Sequence, residues 1–269
     1  MAGRLAILAC TGGLPVALAE AHPDAVIYTL KGVPSAVAER AEEFPIEKIG
    51  ALFAAMKRAG VDRMVFAGAL TRPALNPADL DADMMRLAPR LMAALPQGDD
   101  ALLRFAIEAF EEQGVRVLGA HELLSELLAE PDLAIGPAPS KAQVSDIARG
   151  FDILRVTAPL DIGQGCAVAG GQCLGIETVQ GTDALLAYVA TTPERLKRGQ
   201  KGVYVKAAKH GQDLRIDMPL IGPDTIAGIA GAGLAGIAVQ AGQVMILDRA
   251  TTLHAAEEAG IFVVSQSVE

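Results

Sequence analysis

The stretch 206–225, KAAKHGQDLRIDMPLIGPDT, gathers Lys206, Lys209, His210, Asp213, Arg215, Asp217 and Asp224 between an apolar run and a Gly-rich one. A strand over 213–218 would place Asp213, Arg215 and Asp217 on one face and Leu214, Ile216 and Met218 on the other. Carboxylates on one face suit a hard divalent cation, which takes oxygen ligands and often bridges a phosphate. Lys206 and Lys209 nearby can hold phosphate oxygens. Residues Ile221-Gly222-Pro223-Asp224-Thr225 read as a turn into a helix. Asp224 or Thr225 then falls at that helix's N-terminus, where backbone N–H groups favour an anion. A solvated strand face with Asp224 as an N-cap produces the same pattern, and both readings stay open at this point.

Other residues able to contact an anion are scattered along the chain. The turn Cys10-Thr11-Gly12-Gly13 follows a short apolar strand at 5–9 and opens a helix at 14–20. Strand, Gly turn and helix begin many nucleotide-binding α/β units, although GxGxxG and the Walker lysine are both missing. Arg72 lies in a polar loop after the strand expected at 63–67, a position where open α/β sheets bind ligands. In Gln97-Gly98-Asp99-Asp100, either Asp is expected to cap a helix at 101–113, with Arg104 one turn inside it. Glu177 and Asp183 lie on either side of a turn. The four histidines form no HxxxH or HxH pair, and no GxSxG occurs, which argues against a nucleophile-elbow hydrolase. The Asp-x-His and Asn-His-Asp clusters of metallophosphoesterases are missing as well.

The elements that must position these residues fall into two parts. Strands at 5–9, 26–30, 63–67 and 115–119 alternate with helical patterns at 14–20, 46–59, 75–95, 101–113 and 121–128, which argues a parallel, Rossmann-like sheet over 1–129. A Pro-rich stretch at 130–141 reads as a linker. Residues 142–269 then form a mixed α+β domain with a helix at 142–157, a hairpin about Gly170-Gly171, a helix at 184–191, and strands at 203–205, 214–218, 235–239, 244–247 and 261–264. The fold class expected is therefore α/β with a mixed second domain.

Composition sets the remaining bounds. Hydrophobic residues make up 51% of 269 and aromatics only 4%, so aliphatic side chains must fill the core. A net charge of −9 argues against a general nucleic-acid binder. Basic residues are dense only at 195–209, a run able to meet an anionic substrate or membrane surface. Cys10, Cys166 and Cys173 lack CxxC spacing and read as small hydrophobes in a reducing compartment. The uncharged run 226–247 is long enough to tempt a membrane-span reading. Its five glycines point instead to a helix ending near Gly233 and two short strands about Ala241-Gly242. A protein without a signal peptide, in the cytoplasm, is expected.

The chain resembles the UDP-2,3-diacylglucosamine pyrophosphatases of the lipid A pathway that are unrelated to metallophosphoesterases. In the second part the resemblance rests on Asp161-Ile162-Gly163-Gln164, on Glu177 through Asp183, and on Val205-Lys206 with Lys209. It continues through Gln212-Asp213-x-Arg215-x-Asp217-x-Pro219-x-Ile221-Gly222-Pro223-Asp224-Thr225 and Ala232-Gly233-Leu234-x-Gly236-Ile237-Ala238-Val239. In the first part it rests on Gly12-Gly13-Leu14-Pro15, Gly68 with Arg72-Pro73, and Gly98-Asp99-Asp100 with Leu102-Leu103-Arg104. Ala9-Cys10-Thr11 stands where a richer Gly run is expected.

The resemblance implies hydrolysis of UDP-2,3-diacylglucosamine to UMP and 2,3-diacylglucosamine 1-phosphate with Mg²⁺ or Mn²⁺, by two domains closing on the substrate. Asp224 is then the first expected metal ligand or base, followed by Asp213 and Asp217, with Glu177 and Asp183 extending the metal set. Lys206, Lys209 and Arg215 would stabilise the developing charge. Thr11, Gly12, Gly13, Arg72, Gly98, Asp99, Asp100, Arg104, Gln164, Thr182, Gln212, Gly222 and Thr225 complete the expected substrate contacts. The partners expected are the diacylated UDP-sugar and, peripherally, the cytoplasmic face of the inner membrane, with no nucleic acid. A homo-oligomer is compatible with the sequence. A Rossmann-type oxidoreductase and a non-catalytic nucleotide- or lipid-binding module are the competing readings.

Overall fold

The computed structural model describes residues 3–70, 75–209 and 211–268. The chain divides into two compact units: Met1–Ser125 with Asp213–Asp217, and Glu126–Gln212 with Met218–Glu269. The chain thus returns to the first unit for five residues in the middle of the second.

Unit one runs β1 (Arg4–Ala9), α1 (Leu14–Ala21), β2 (Val26–Leu30), β3 (Glu42–Phe44), α2 (Ile49–Arg58), β4 (Val61–Ala67), α3 (Ala82–Ala94), α4 (Asp99–Glu111), β5 (Arg116–Leu118) and α5 (Ala120–Leu123). Its sheet has the order β3-β2-β1-β4-β5 with every pair parallel. The central strand β1 is buried from Leu5 to Ala9, as helices on both faces require. Tyr28 packs edge-on to Phe44 at 5.8 Å, and Phe110 meets Phe53 and Phe66 edge-on at 5.2 and 5.4 Å. From β1 the chain moves one way to β2 and β3, then back past it to β4 and β5. Such a reversal leaves a crevice outside the carboxyl ends of β1 and β4.

Unit two runs β6 (Ala134–Ile135), α6 (Lys141–Thr157), β7 (Gly165–Ala169), β8 (Gln172–Ile176), α7 (Gly181–Ala190), β9 (Val203–Lys206), β10 (Leu220–Ile221), α8 (Pro223–Gly231), β11 (Gly236–Gln240), β12 (Met245–Ile246), α9 (Arg249–Glu258) and β13 (Phe262–Gln266). A six-stranded mixed sheet has the order β6-β13-β11-β9-β7-β8, and β10 pairs separately with β12. Strands β13, β11 and β9 are parallel, while β6, β7 and β8 are antiparallel to their neighbours. The hairpin between β7 and β8 turns on Gly170 and Gly171, both with positive φ, as a tight two-residue turn demands. Asp146 of α6 is buried and accepts from both of their N–H groups, at 2.9 and 2.6 Å.

Several sequence expectations need correction. The segment 213–218 is a turn, not a strand: Arg215 N–H donates to the Asp213 carboxylate at 3.0 Å, bending the chain back on itself. The alternation of Leu214, Ile216 and Met218 reflects Ile216 packing on the core of unit one. Helix α4 starts at Asp99 with Gly98 as its N-cap, so the capping position belongs to Gly98 and not to either Asp. The Pro-rich stretch 130–141 lies within unit two, where β6 forms an edge of the sheet. No helix among the described residues is long and apolar enough to cross a membrane.

Candidate functional site

The densest polar arrangement of unit two forms around Lys206. Period-two alternation along β9 puts Tyr204 and Lys206 on one face of the sheet. Both are buried, at 0% and 5% exposure. The Lys206 ammonium donates to Thr182 Oγ1 at 2.7 Å and to Glu177 Oε2 at 3.4 Å. The Tyr204 hydroxyl donates to the same Glu177 oxygen at 2.9 Å. Gly165 makes room for this approach: a Cβ there would lie 2.0 Å from the Tyr204 oxygen and 2.6 Å from Glu177 Oε2. Burial pushes the Tyr204 phenol well up, and the Glu177 charge pushes it further. Tyr204 therefore remains a neutral donor. An ammonium has three donors, and two of those on Lys206 are committed, so one is left for a ligand oxygen.

Beyond β9 the chain is held at the carboxyl end of the parallel strands. Ala207 N–H donates to the Gln164 carbonyl at 2.9 Å, and Ala208 N–H to Gln240 Oε1 at 3.2 Å. Gln164 Nε2 donates to Gln212 Oε1 at 3.1 Å, and the same oxygen accepts from Lys209 N–H at 3.1 Å. The Lys209 ammonium is ion-paired with Asp161. In parallel sheets ligands bind outside this end of the strands.

Two helices of unit two begin with exposed carboxylates. In α8 the N-cap is Gly222, Pro223 follows, and Asp224 is the second helical residue. Thr225 Oγ1 accepts from Gly222 N–H at 3.3 Å, so Thr225 rather than Asp224 closes the helix start. Asp224 is exposed, and its carboxylate meets no hydrogen-bond or ion-pair partner among the described residues. Asp183, in the first turn of α7, is equally exposed and without such a partner.

In unit one the turns after β1 and β4 are joined. Thr11 and Ala69 exchange backbone hydrogen bonds at 3.3 and 3.0 Å, and Thr11 Oγ1 donates to the Ala69 carbonyl at 2.6 Å. Gly12 and Gly13 are exposed beside this junction, at the start of α1. The expected nucleotide-side turn thus stands at the switch point of the sheet. Arg104 is ion-paired with Asp100 one turn earlier in α4. Arg215 grips Asp213 through Nε at 2.9 Å and Nη2 at 2.6 Å, and reaches Glu111 with Nη1 at 3.0 Å. These hydrogen bonds hold the Asp213 carboxyl below its ordinary range. Arg72, His210 and the Asp99 side chain lie outside the described residues.

The five carboxylates expected as metal ligands are distributed over both units. Asp213 and Asp217 belong to unit one, and Glu177, Asp183 and Asp224 to unit two. Asp213 is committed to Arg215, and Glu177 to Tyr204 and Lys206. No group of three His, Cys, Asp or Glu side chains able to hold a metal occurs among the described residues. Asp224 and Asp183 are the expected ligands left open. The sequence reading missed Tyr204 and Gln240. Tyr204 was visible as a hydroxyl within an apolar strand, two residues before Lys206 and hence on its face. Gln240 ends β11 and carried no signal beyond being polar.

Strand order and the division into two units define a two-unit α/β protein. Residues 4–127 match the LpxI N-terminal domain and residues 131–264 the LpxI C-terminal domain. The chain belongs to the LpxI family. It is 36% identical over 270 residues, covering 97% of this chain and 96% of the relative, to a Caulobacter vibrioides protein named UDP-2,3-diacylglucosamine pyrophosphatase LpxI. The resemblance read from the sequence is borne out.

Proposed function

We propose that this chain hydrolyses the pyrophosphate bond of UDP-2,3-diacylglucosamine, releasing UMP and 2,3-diacylglucosamine 1-phosphate. The observation that carries the proposal is the end-to-end similarity to a relative bearing that activity in its name. The geometry of unit two supports it. The uncommitted donor of Lys206 binds a diphosphate oxygen, Thr182 and Glu177 fix its direction, and the site is preorganised for charge that develops during water attack. Asp224, exposed and without a partner among the described residues, orients that water or meets the substrate's counter-ion. Mg²⁺ is usually held by one or two carboxylates together with substrate phosphates. We therefore place Mg²⁺ or Mn²⁺ on the diphosphate as part of the substrate, with Asp224 and Asp183 as the open carboxylates.

A diacylated substrate resides in a bilayer, which supports peripheral attachment. The basic run 195–209 is thinner than its sequence suggests. Lys197 is buried against Glu194 and the Ala232 carbonyl, Lys206 is internal, and Lys209 is paired with Asp161. Arg195, Arg198 and Lys201 remain exposed near exposed Leu196, and these are the contacts proposed. The test of the activity is direct: purified protein, the diacylated UDP-sugar in mixed micelles, and phosphorus NMR with and without Mg²⁺. Formation of the two phosphomonoesters supports the reading, and an intact diphosphate after prolonged incubation overturns it.

A further inference from the structure

Unit one carries a polar cavity at the opposite end of its sheet from the switch point. It has a volume of about 410 Å³, within the range of small-molecule sites. Arg4 opens β1, Glu42 opens β3, Arg58 ends α2, and Arg40 closes the short turn before β3; all four line the cavity with Tyr28 of β2. None of the three arginines makes an ion pair with a described residue. Arg58 in the last turn of α2 complements that helix's C-terminal dipole, whereas Arg4 opens a strand and has no such reason to be there.

Tyr28 supplies the second, independent observation. Its ring is packed in the core at 1% exposure, yet its hydroxyl meets no hydrogen-bond partner among the described residues. Tyr28 lines the cavity, so its hydroxyl is free to donate to a ligand there. Burial raises its pKa, Glu42 raises it further, and Arg4 and Arg58 oppose the rise. Three arginines against one glutamate leave two positive charges. A phosphate monoester carries about −1.5 to −2 at neutral pH, and guanidinium forks match its oxygens.

We infer that this cavity binds a phosphate monoester dianion, held by Arg4, Arg40 and Arg58, with the Tyr28 hydroxyl donating to it and Glu42 accepting from a hydroxyl of the ligand. The site does not rest on the hydrolytic reading. The test is calorimetric titration of the full chain with inorganic phosphate and with glycerol phosphate, against chloride at matched ionic strength. Saturable one-site binding is expected for wild type. Arg40→Gln/Arg58→Gln should weaken it at least about tenfold, the loss of one charge-assisted contact or more. Tyr28→Phe should weaken it about two- to tenfold, the range of one hydrogen bond. The arginine side chains are exposed, so melting and hydrolysis of the pyrophosphate substrate should stay at wild-type levels in the double variant. Tighter binding of the ester assigns the cavity to an organic phosphate, and tighter binding of inorganic phosphate overturns the ester. Equal affinity in wild type and the arginine variant, or phosphate binding no better than chloride, overturns the site.

Discussion

Replacing Glu177 by Gln keeps the shape of its side chain and removes the charge opposite Lys206. The two groups are 3.4 Å apart, with side chains 6% and 13% exposed. Breaking a buried pair by removing one partner costs about 3–5 kcal/mol. Here the loss is smaller. Thr182 still accepts from Lys206 at 2.7 Å, and the Gln oxygen can still accept from Tyr204. A hydrogen bond to a charged group contributes about 1.5–3 kcal/mol, which sets the expected cost at about 2–3. At about 2–4 °C per kcal/mol for a chain of this size, the melting temperature should fall by about 4–12 °C. Lys206→Met should cost a similar amount, because it strands the Glu177 carboxylate. The double variant removes both charges together and should be at least about 1 kcal/mol more stable than the sum of the single losses, as interacting neighbours are. Urea or thermal unfolding of the four proteins, followed by circular dichroism, measures the cycle. Additivity within about 0.5 kcal/mol would refute the claim that the two charges form one unit.

Other perturbations follow from the same geometry. Arg215 lowers the Asp213 pKa, so that carboxylate contributes stability that is present above its unfolded value of 3.8 and lost as pH falls through the lower folded value. Asp213→Asn should therefore be less stable than wild type at pH 6–8, and chemical unfolding should show the difference closing in strong acid. Gly165→Ala puts a Cβ 2.0 Å from the Tyr204 oxygen, and should reduce kcat through displaced Lys206 contacts; an unchanged kcat in a folded variant would contradict this. Flotation on anionic vesicles should be salt-sensitive and weakened by replacing Arg195, Arg198 and Lys201 with Gln, and unaltered by Lys209→Gln, whose charge is already paired.

What could be read from the sequence depended on how locally each feature is encoded. The β1–turn–α1 unit and the β7–β8 hairpin carry apolar runs ending in glycines, and both formed as expected. Strands β3, β6 and β10 are two or three residues long and owe their pairing to neighbours distant in sequence, so no periodicity announces them. The alternation at 213–218 was misleading because period two marks which residues are apolar, not what they pack on. Ile216 serves the core of unit one while its flanking sequence belongs to unit two. The candidate site divided in the same way. Lys206, Thr182, Glu177 and Lys209 stand out as charged or polar groups and do meet partners at one end of a sheet. That Glu177 is spent on Tyr204 and Lys206, and Asp213 on Arg215, depends on tertiary packing. Two of the five expected carboxylates are thereby committed to protein partners.

The most direct test of the account is Asp224→Ala, measured for melting and turnover together. Asp224 is the second residue of α8, where a negative charge stabilises the helix by about 0.3–1 kcal/mol. Thr225, not Asp224, closes the helix start. The account predicts a melting temperature within a few degrees of wild type, retained substrate binding and no detectable release of UMP. A folded Asp224→Ala protein that hydrolyses UDP-2,3-diacylglucosamine within about tenfold of the wild-type rate, a difference of only about 1.4 kcal/mol in the barrier, would contradict the placement of the chemistry at the α8 N-terminus.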